Sequence, residues 1–169
     1  SVAAPEDGVY LAGSFKDPAD AYSSAVIWHD DGSAVERIDL TDGTASNASA
    51  NDGFAGADAV YACGYVCQNG SNVQNAVWWR IDPDGTVAQT LLASGTQNII
   101  AKAIRVSGSD VYVVGDDWNA TGIMGVLWTN GSESFLTASS NFAAANGLAL
   151  FGNYRYIAGT YDDNYNALN

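Results

Sequence analysis

Basic residues, histidine and cysteine are scarce in this sequence. Lys and Arg together number 6 against 19 Asp and Glu, so the formal net charge is −13 at pH 7. This charge repels nucleic acid and anionic membrane surfaces, so neither is an expected partner. One His and two Cys supply too few ligands for a zinc site. No Ser or Cys motif lies near the single His29, so it is not expected to act as a catalytic base.

Long apolar runs and helical periodicity are also missing. No apolar run approaches the roughly 20 residues of a membrane span, so membrane insertion is not expected. No segment combines a sustained 3.6-residue period with caps at both ends, so helices contribute little. Residues 1–5 are not preceded by a Met and resemble a mature N-terminus left by processing. Such an N-terminus favours an extracellular, secreted protein.

A five-residue motif, Val-Tyr-x-x-Gly, occurs three times, and a weaker fourth copy begins with Arg. Its tyrosines are Tyr10, Tyr61, Tyr112 and Tyr156, so the spacing is 51, 51 and 44 residues. Self-similarity at this period indicates repeat architecture. The motif is apolar on both faces of an extended strand, which predicts a strand covered on both sides. The Gly at its end predicts a sharp exit from the strand.

Three further strands complete each repeat. The strand that follows the motif starts with a small residue and ends with Trp28, Trp79 or Trp128. Asp-Gly or Asn-Gly follows shortly afterwards, which indicates a hairpin turn. A weaker strand comes next, and a final strand leads to the next motif, predicted over 56–59, 101–106 and 144–150. A short helix over 101–106 is the alternative there.

The predicted fold is therefore all-β, with antiparallel four-stranded units in a single repeat domain over 1–169. The repeats are placed near 9–59, 60–110 and 111–154, with a partial copy at 155–169. The motif, the small-Val-x-Trp strand and the Asp-Gly turn resemble bacterial extracellular β-propeller repeats, broadly of the kelch and tryptophan-rich types. The resemblance implies a blade-like fold and no particular activity. The paired glycines of kelch repeats and the Trp-Asp dipeptide of WD repeats are missing, so neither family is assigned.

The number of predicted blades lies between three and four, whereas propellers usually close with 4 to 8. A small closed ring, a ring shared by two chains, a head-to-tail filament built by strand addition, and a fragment of a longer chain are the alternatives. Subunit contacts in an oligomer or filament are expected near both ends of the chain, at Val2, Ala3, Tyr161, Tyr165 and Leu168.

Cys63 and Cys67 are four residues apart, which is about 13 Å along an extended strand and too far for a disulfide. If Gly64 begins a turn, the two can pair, and a disulfide is the favoured prediction, in keeping with an extracellular setting. One buried thiol and one unrelated loop thiol are the alternative.

Four Asn-x-Ser/Thr sequons fall in predicted turns or loops, where a glycan can be carried. They are glycosylation candidates at Asn47, Asn69, Asn119 and Asn130. Aromatic residues that do not follow the repeat are candidates for ligand contact, glycans included. They are Trp78, Trp118, Tyr22 and Tyr65.

Paired carboxylates at 82 and 84 and at 116 and 117 suggest Ca²⁺ as one alternative to solvated turns, and no cofactor is otherwise expected. No catalytic motif is present, so an enzyme is not expected. The favoured function is a structural protein that self-assembles through its incomplete terminal blades. The alternative is a lectin-type carbohydrate-binding module that uses loop aromatics.

Overall fold

The computed structural model describes residues 2–3, 8–119, 122–137 and 142–162. Within these ranges all regular secondary structure is β-strand, so the all-β prediction is confirmed. The described part of the chain therefore contains no helix that is long and apolar enough to cross a membrane. The strands are β1 (Val2–Ala3), β2 (Val9–Phe15), β3 (Ser24–Asp30), β4 (Val35–Asp39), β5 (Ala48–Ala55), β6 (Val60–Cys67), β7 (Gln74–Ile81), β8 (Val87–Ala93), β9 (Ile99–Ser107), β10 (Asp110–Asn119), β11 (Gly122–Thr129), β12 (Ser132–Phe135), β13 (Phe142–Phe151) and β14 (Tyr154–Asp162).

These strands form sheets in chain order. The first sheet is β1-β2-β3-β4 and the second is β5-β6-β7-β8, and every neighbouring pair in both is antiparallel. The third sheet contains β9-β10-β11-β12, and the β13–β14 hairpin joins it through one parallel pair, Ile123 with Phe142. No sheet closes on itself among the described residues, so a closed propeller is not observed.

The strand predicted to lead into each motif is the first strand of the sheet that contains that motif. For the second sheet this strand is β5, Ala48–Ala55, and residues 56–59 form the turn that follows it. The prediction of a strand over 56–59 was wrong because β5 is rich in small and polar residues and resembles a loop. The helix considered over 101–106 is also wrong, since those residues lie within β9.

The motif glycines do not end their strands. Gly64, Gly115 and Gly159 each lie opposite a β-bulge in the preceding strand, where Asn51, Lys102 and Asn146 respectively are the extra residues. A methyl group at Gly64 or Gly115 would collide with a backbone carbonyl oxygen of the bulged strand. The repeated Gly is therefore required by the close approach of two backbones, and the predicted sharp exit was wrong.

The two cysteines do not form a disulfide, and that prediction was wrong. Strand β6 continues through Gly64, with Cys63 opposite Trp78 and Cys67 opposite Gln74. Four residues of extended strand keep the two sulfur atoms beyond bonding distance. Both thiols are free and buried, and burial raises the pKa of each.

The sheets stack face to face, and the core lies between them. Ile27 and Trp79 belong to the cluster between the first and second sheets, and Ile104 and Trp128 to the cluster between the second and third. A smaller cluster with Leu148 joins the third sheet to the β13–β14 hairpin. Each inner sheet therefore buries both of its faces, as the apolar pattern of the motif predicts.

Candidate functional site

The stack of sheets has two outer faces, and both are partly uncovered. The first is formed by alternate residues of β2 and β3, and we call it the leading face; its accessible residues are Val9, Leu11 and Trp28, which surround the buried Val26. Leu11 is 38% exposed, whereas Ala62 at the same position of the second repeat is completely buried. Trp28 is partly exposed, whereas Trp79 is completely buried. The difference arises because the second sheet has a neighbour on this side, whereas the described residues place none against the first sheet there.

The second outer face belongs to the β13–β14 hairpin, and we call it the trailing face; its residues are Ala149, Phe151, Tyr154, Tyr156 and Ala158. The pairs Phe151–Tyr154 and Ala149–Tyr156 lie directly opposite each other across the two strands, so their side chains share one side. Tyr156 is 57% exposed, whereas the equivalent Tyr61 is 4% exposed because the next sheet covers it. The trailing face is thus an aromatic surface without a covering sheet in the described structure.

Each of the first three motif tyrosines carries a histidine or a cation on its ring. The rings of Tyr10 and His29 stack with centroids 4.3 Å apart. The Arg80 guanidinium lies 5.9 Å from the centroid of Tyr61, and the Arg155 guanidinium lies 5.2 Å from that of Tyr112. These contacts join a strand to its neighbour or one sheet to the next, and they stabilise the stack.

A cleft of about 340 Å³ opens between the second and third sheets beside Tyr61. The Tyr61 and Trp78 rings stack with centroids 6.0 Å apart, and the Tyr61 hydroxyl donates a hydrogen bond of 3.2 Å to Asp58. Arg80 pairs with Asp58 at 3.4 Å and with Asp82 at 2.7 Å. Burial, and then the nearby Asp58 carboxylate, raise the pKa of Tyr61, so its hydroxyl stays protonated at neutral pH. The cleft therefore combines an aromatic wall with hydrogen-bonding groups.

Polar side chains at the bulges connect neighbouring sheets. The Asn51 amide donates to the Ala101 carbonyl of the third sheet at 2.9 Å, and Lys102 donates to Asn146 of the hairpin at 2.9 Å. Lys102 also forms an ion pair with the buried Asp116. The pKa of Asp116 is raised, because burial outweighs the effect of that lysine.

Asp52 makes a second buried connection between sheets. Its carboxylate accepts hydrogen bonds from the Ile104 backbone N–H at 2.9 Å and from Arg105 at 2.7 Å. Sequence reasoning missed Asp52 and Asn51, because one acidic and one amide residue in a polar stretch carry no distinctive signal.

Neither a scan of protein-family models nor a search of curated proteins finds a similar protein. Evidence about function therefore comes from this chain's own residues.

The predicted ligand-contact residues are not brought together at the cleft. Trp78 lines it, and the other three do not. Trp118 is exposed near the end of β10, Tyr22 lies between β2 and β3, and Tyr65 lies in β6. Of the four, Trp78 is therefore the residue that lines this cleft.

The predicted subunit-contact residues fall into two groups. Val2 and Ala3 form β1, which pairs with β2 next to the leading face. Tyr161 lies near the end of β14 and is exposed. Tyr165 and Leu168 lie outside the described residues.

The four sequons occupy different environments. Asn69 is exposed in a turn, and Asn119 is the last residue of β10. Asn47 accepts hydrogen bonds from the Ser23 backbone and hydroxyl, and it joins the β2–β3 connection to the start of β5. Asn130 is an exposed turn residue with φ of 51°, and its amide donates to Asp110 at 2.9 Å. Glycosylation of any of the four stays a prediction.

The paired carboxylates considered for Ca²⁺ or acid–base chemistry have local partners. Asp82 pairs with Arg80, Asp84 accepts a hydrogen bond from the Thr86 backbone, and Asp116 pairs with Lys102. Among the described residues, no group of three or more His, Cys, Asp or Glu converges on a point where a metal ion could bind. The carboxylates at 82, 84 and 116 thus have structural roles in this chain.

Proposed function

We propose that this chain is an extracellular, non-enzymatic structural protein that self-assembles by stacking the trailing face of one copy on the leading face of the next. The product is a head-to-tail oligomer or filament, because a heterologous contact that does not close on itself repeats indefinitely. Strand pairing across the junction, along the edge of β14, would add backbone hydrogen bonds to the contact.

One observation supports this proposal above the others. Inside the chain, the face equivalent to the trailing face is always covered by the face equivalent to the leading face of the next sheet. Tyr61 packs in the same cluster as Val113 and Trp128, which are the third-sheet counterparts of Leu11 and Trp28. A second copy therefore offers the trailing face the same kind of surface that covers Tyr61.

The gain from covering the trailing face is substantial. Phe151, Tyr154 and Tyr156 are all more than half exposed. Burial of one large aromatic side chain is worth about 2 kcal/mol, so three of them offset a large part of the entropic cost of association. A single charge placed among them would remove more than one such contribution.

The size of the protein in solution tests the proposal. Light scattering and electron microscopy should show concentration-dependent species larger than the 17.6 kDa chain. Tyr156→Asp should weaken the association by roughly 30-fold or more, which corresponds to about 2 kcal/mol. Phe135→Asp is the matched control, since Phe135 is an exposed aromatic residue of β12 outside both outer faces. A 17.6 kDa monomer at every concentration would rule out self-assembly.

The extracellular location is part of the same proposal. It is supported by the four sequons and by the resemblance to extracellular repeats, and the free cysteines remove the support that a disulfide would have given. Mass spectrometry of protein secreted from a host that performs N-glycosylation tests it. Unmodified asparagines at all four sequons would remove the remaining direct support.

Carbohydrate binding is a second candidate function. Trp78 favours it, because this half-buried indole lies beside the polar cleft of Tyr61 and Arg80. A lectin would be retained on an immobilised sugar as a species of fixed size, whereas a purely structural protein would pass through the column.

A further inference from the structure

We infer that the cleft between the second and third sheets is a binding site for one neutral hexopyranose ring. This inference deepens the second candidate function and does not depend on self-assembly. We call the site the Trp78 cleft, and its lining residues are Asp58, Tyr61, Trp78, Arg80, Thr90, Gly108, Ser109, Val111 and Asn130.

Comparison of equivalent positions in the three repeats shows which cleft residues are needed for packing. The position of Trp78 is occupied by Ile27 in the first repeat and Leu127 in the third, so an aliphatic side chain satisfies the packing there. The position of Arg80 is occupied by His29 and Thr129. Trp78 is therefore the aromatic exception at an otherwise aliphatic position, whereas the Arg80 position differs in all three repeats. Both residues line the same cleft.

The strand register brings these groups to one wall. Tyr61 lies directly opposite Arg80 across β6 and β7, and Trp78 lies opposite Thr90 across β7 and β8. Because cross-strand partners share a side of the sheet, the two aromatic rings and the guanidinium all face the third sheet. The opposite wall is the β9–β10 turn with Ser109, together with Asn130.

The chemistry of this wall suits a sugar. The apolar face of a pyranose packs on an aromatic ring, and Trp78 provides that ring without being completely buried. Its hydroxyl groups both donate and accept, and the cleft offers both functions. Asp58 is exposed and retains free lone pairs, while Arg80 retains N–H donors beyond the two used for Asp58 and Asp82. A cavity of about 340 Å³ admits one such ring.

The charges of the cleft select against anionic sugars. The positive charge of Arg80 is already shared between the Asp58 and Asp82 carboxylates. Asp110 adds a further carboxylate next to Asn130. An acidic sugar such as glucuronate would therefore be repelled, whereas a neutral hexose would not.

Nuclear magnetic resonance of the indole N–H groups tests the site. The probes are the methyl glycosides of glucose, galactose and mannose, with glucuronate as the charged comparison. At least one neutral glycoside should shift the Trp78 indole resonance in a saturable manner and leave that of Trp118 unchanged, and glucuronate should bind at least tenfold more weakly.

Two variants introduce the residue found at the equivalent position of the third repeat, so they should fold and test binding alone. Trp78→Leu and Arg80→Thr place side chains that the third repeat accommodates at 127 and 129. Each should lower the affinity about tenfold, or 1.4 kcal/mol, while the circular dichroism spectrum is retained.

Because Trp78→Leu removes the indole probe, affinity in the variants is read from the backbone amide resonances of Ser109 and Asn130, which line the cleft. Two results would overturn the inference: no saturable shift with any neutral glycoside, or unchanged affinity in Trp78→Leu. Tyr156→Asp separates this proposal from self-assembly, because it should weaken association and leave the sugar-induced shifts intact.

Discussion

Three motif glycines share one backbone environment opposite a β-bulge. At Gly64, Gly115 and Gly159, a Cβ atom would meet the carbonyl oxygen of Ser49, Ile100 and Ala144 respectively, and in each case the obstacle is backbone. Backbone cannot move aside as the end of a flexible side chain can. The glycine therefore allows the bulge, and the bulge turns its extra residue toward the neighbouring strands of the stack. Asn51 thereby reaches the Ala101 carbonyl, and Lys102 reaches Asn146, the extra residue of the next bulge.

Gly115→Ala should destabilise the protein by about 2 kcal/mol or more, because one of the two strands must shift. Urea unfolding followed by tryptophan fluorescence measures the change. Gly53→Ala is the matched control, since a Cβ atom at this strand glycine meets only ordinary contacts of 3.7–3.8 Å. Equal effects of the two substitutions would contradict the account of the motif.

Asp31 is the residue through which folding stability should depend most clearly on pH. Hydrogen bonds from the Ser33 hydroxyl and from the Ala34 and Ser33 backbone N–H groups lower the pKa of this exposed carboxyl from 3.8 to about 2. A lowered pKa in the folded state means that the stabilising effect is complete above the unfolded value of 3.8 and is lost as pH falls through about 2.

The stability difference between wild type and Asp31→Asn should therefore be constant above about pH 5 and should shrink progressively toward pH 2. Nuclear magnetic resonance titration of the carboxyl carbon gives the pKa directly, and Ser33→Ala should move it upward. A difference that stays constant down to pH 2 would show that these hydrogen bonds do not favour the ionised form.

At the scale of the strands, the buried polar groups keep the stacked sheets in register. Asp52 of β5 is the main example, because it accepts hydrogen bonds from both the backbone and a side chain of β9. Apolar contacts between two flat faces tolerate sliding, whereas a charged hydrogen bond in a buried position does not.

Asp52→Ala should lower the free energy of unfolding by about 3 kcal/mol, because it leaves the buried Ile104 N–H without its acceptor and breaks the pair with Arg105. Asp39→Ala breaks an ion pair with Arg37 that is exposed to solvent, so it should cost less than about 1 kcal/mol. Urea denaturation compares the two variants. A cost below 1 kcal/mol for Asp52→Ala would show that apolar packing alone fixes the register.

Strands with a strong apolar pattern were predictable, and strands without one were not. The motif strand and the Trp-ending strand combine apolar residues with turn signals, and both lie where the sequence predicts them. β5 is small and polar because its role is to carry a bulge and Asp52, so its sequence resembles a loop. The disulfide was mispredicted for a related reason: the Gly that normally suggests a turn permits a close backbone approach within a continuous strand.

At the scale of the whole molecule, the repeat explains which residues are uncovered. Equivalent positions are buried inside the stack and exposed on its two outer faces, as Tyr61 and Tyr156 illustrate. Such faces could be predicted from the sequence as ends of a repeat array. The Trp78 cleft could not, since it depends on how far two sheets separate beside Tyr61. Trp78 itself could be singled out, because it interrupts an aliphatic position of the repeat.

The central claim is that the trailing face of one copy binds the leading face of another. Tyr156→Asp disables the trailing face and keeps the leading face intact. Leu11→Asp disables the leading face and keeps the trailing face intact. Light scattering of an equimolar mixture tests the claim most directly. We predict that each variant alone is a monomer and that the mixture forms a dimer that grows no further. A mixture that stays monomeric, or a single variant that dimerises alone, would contradict head-to-tail stacking.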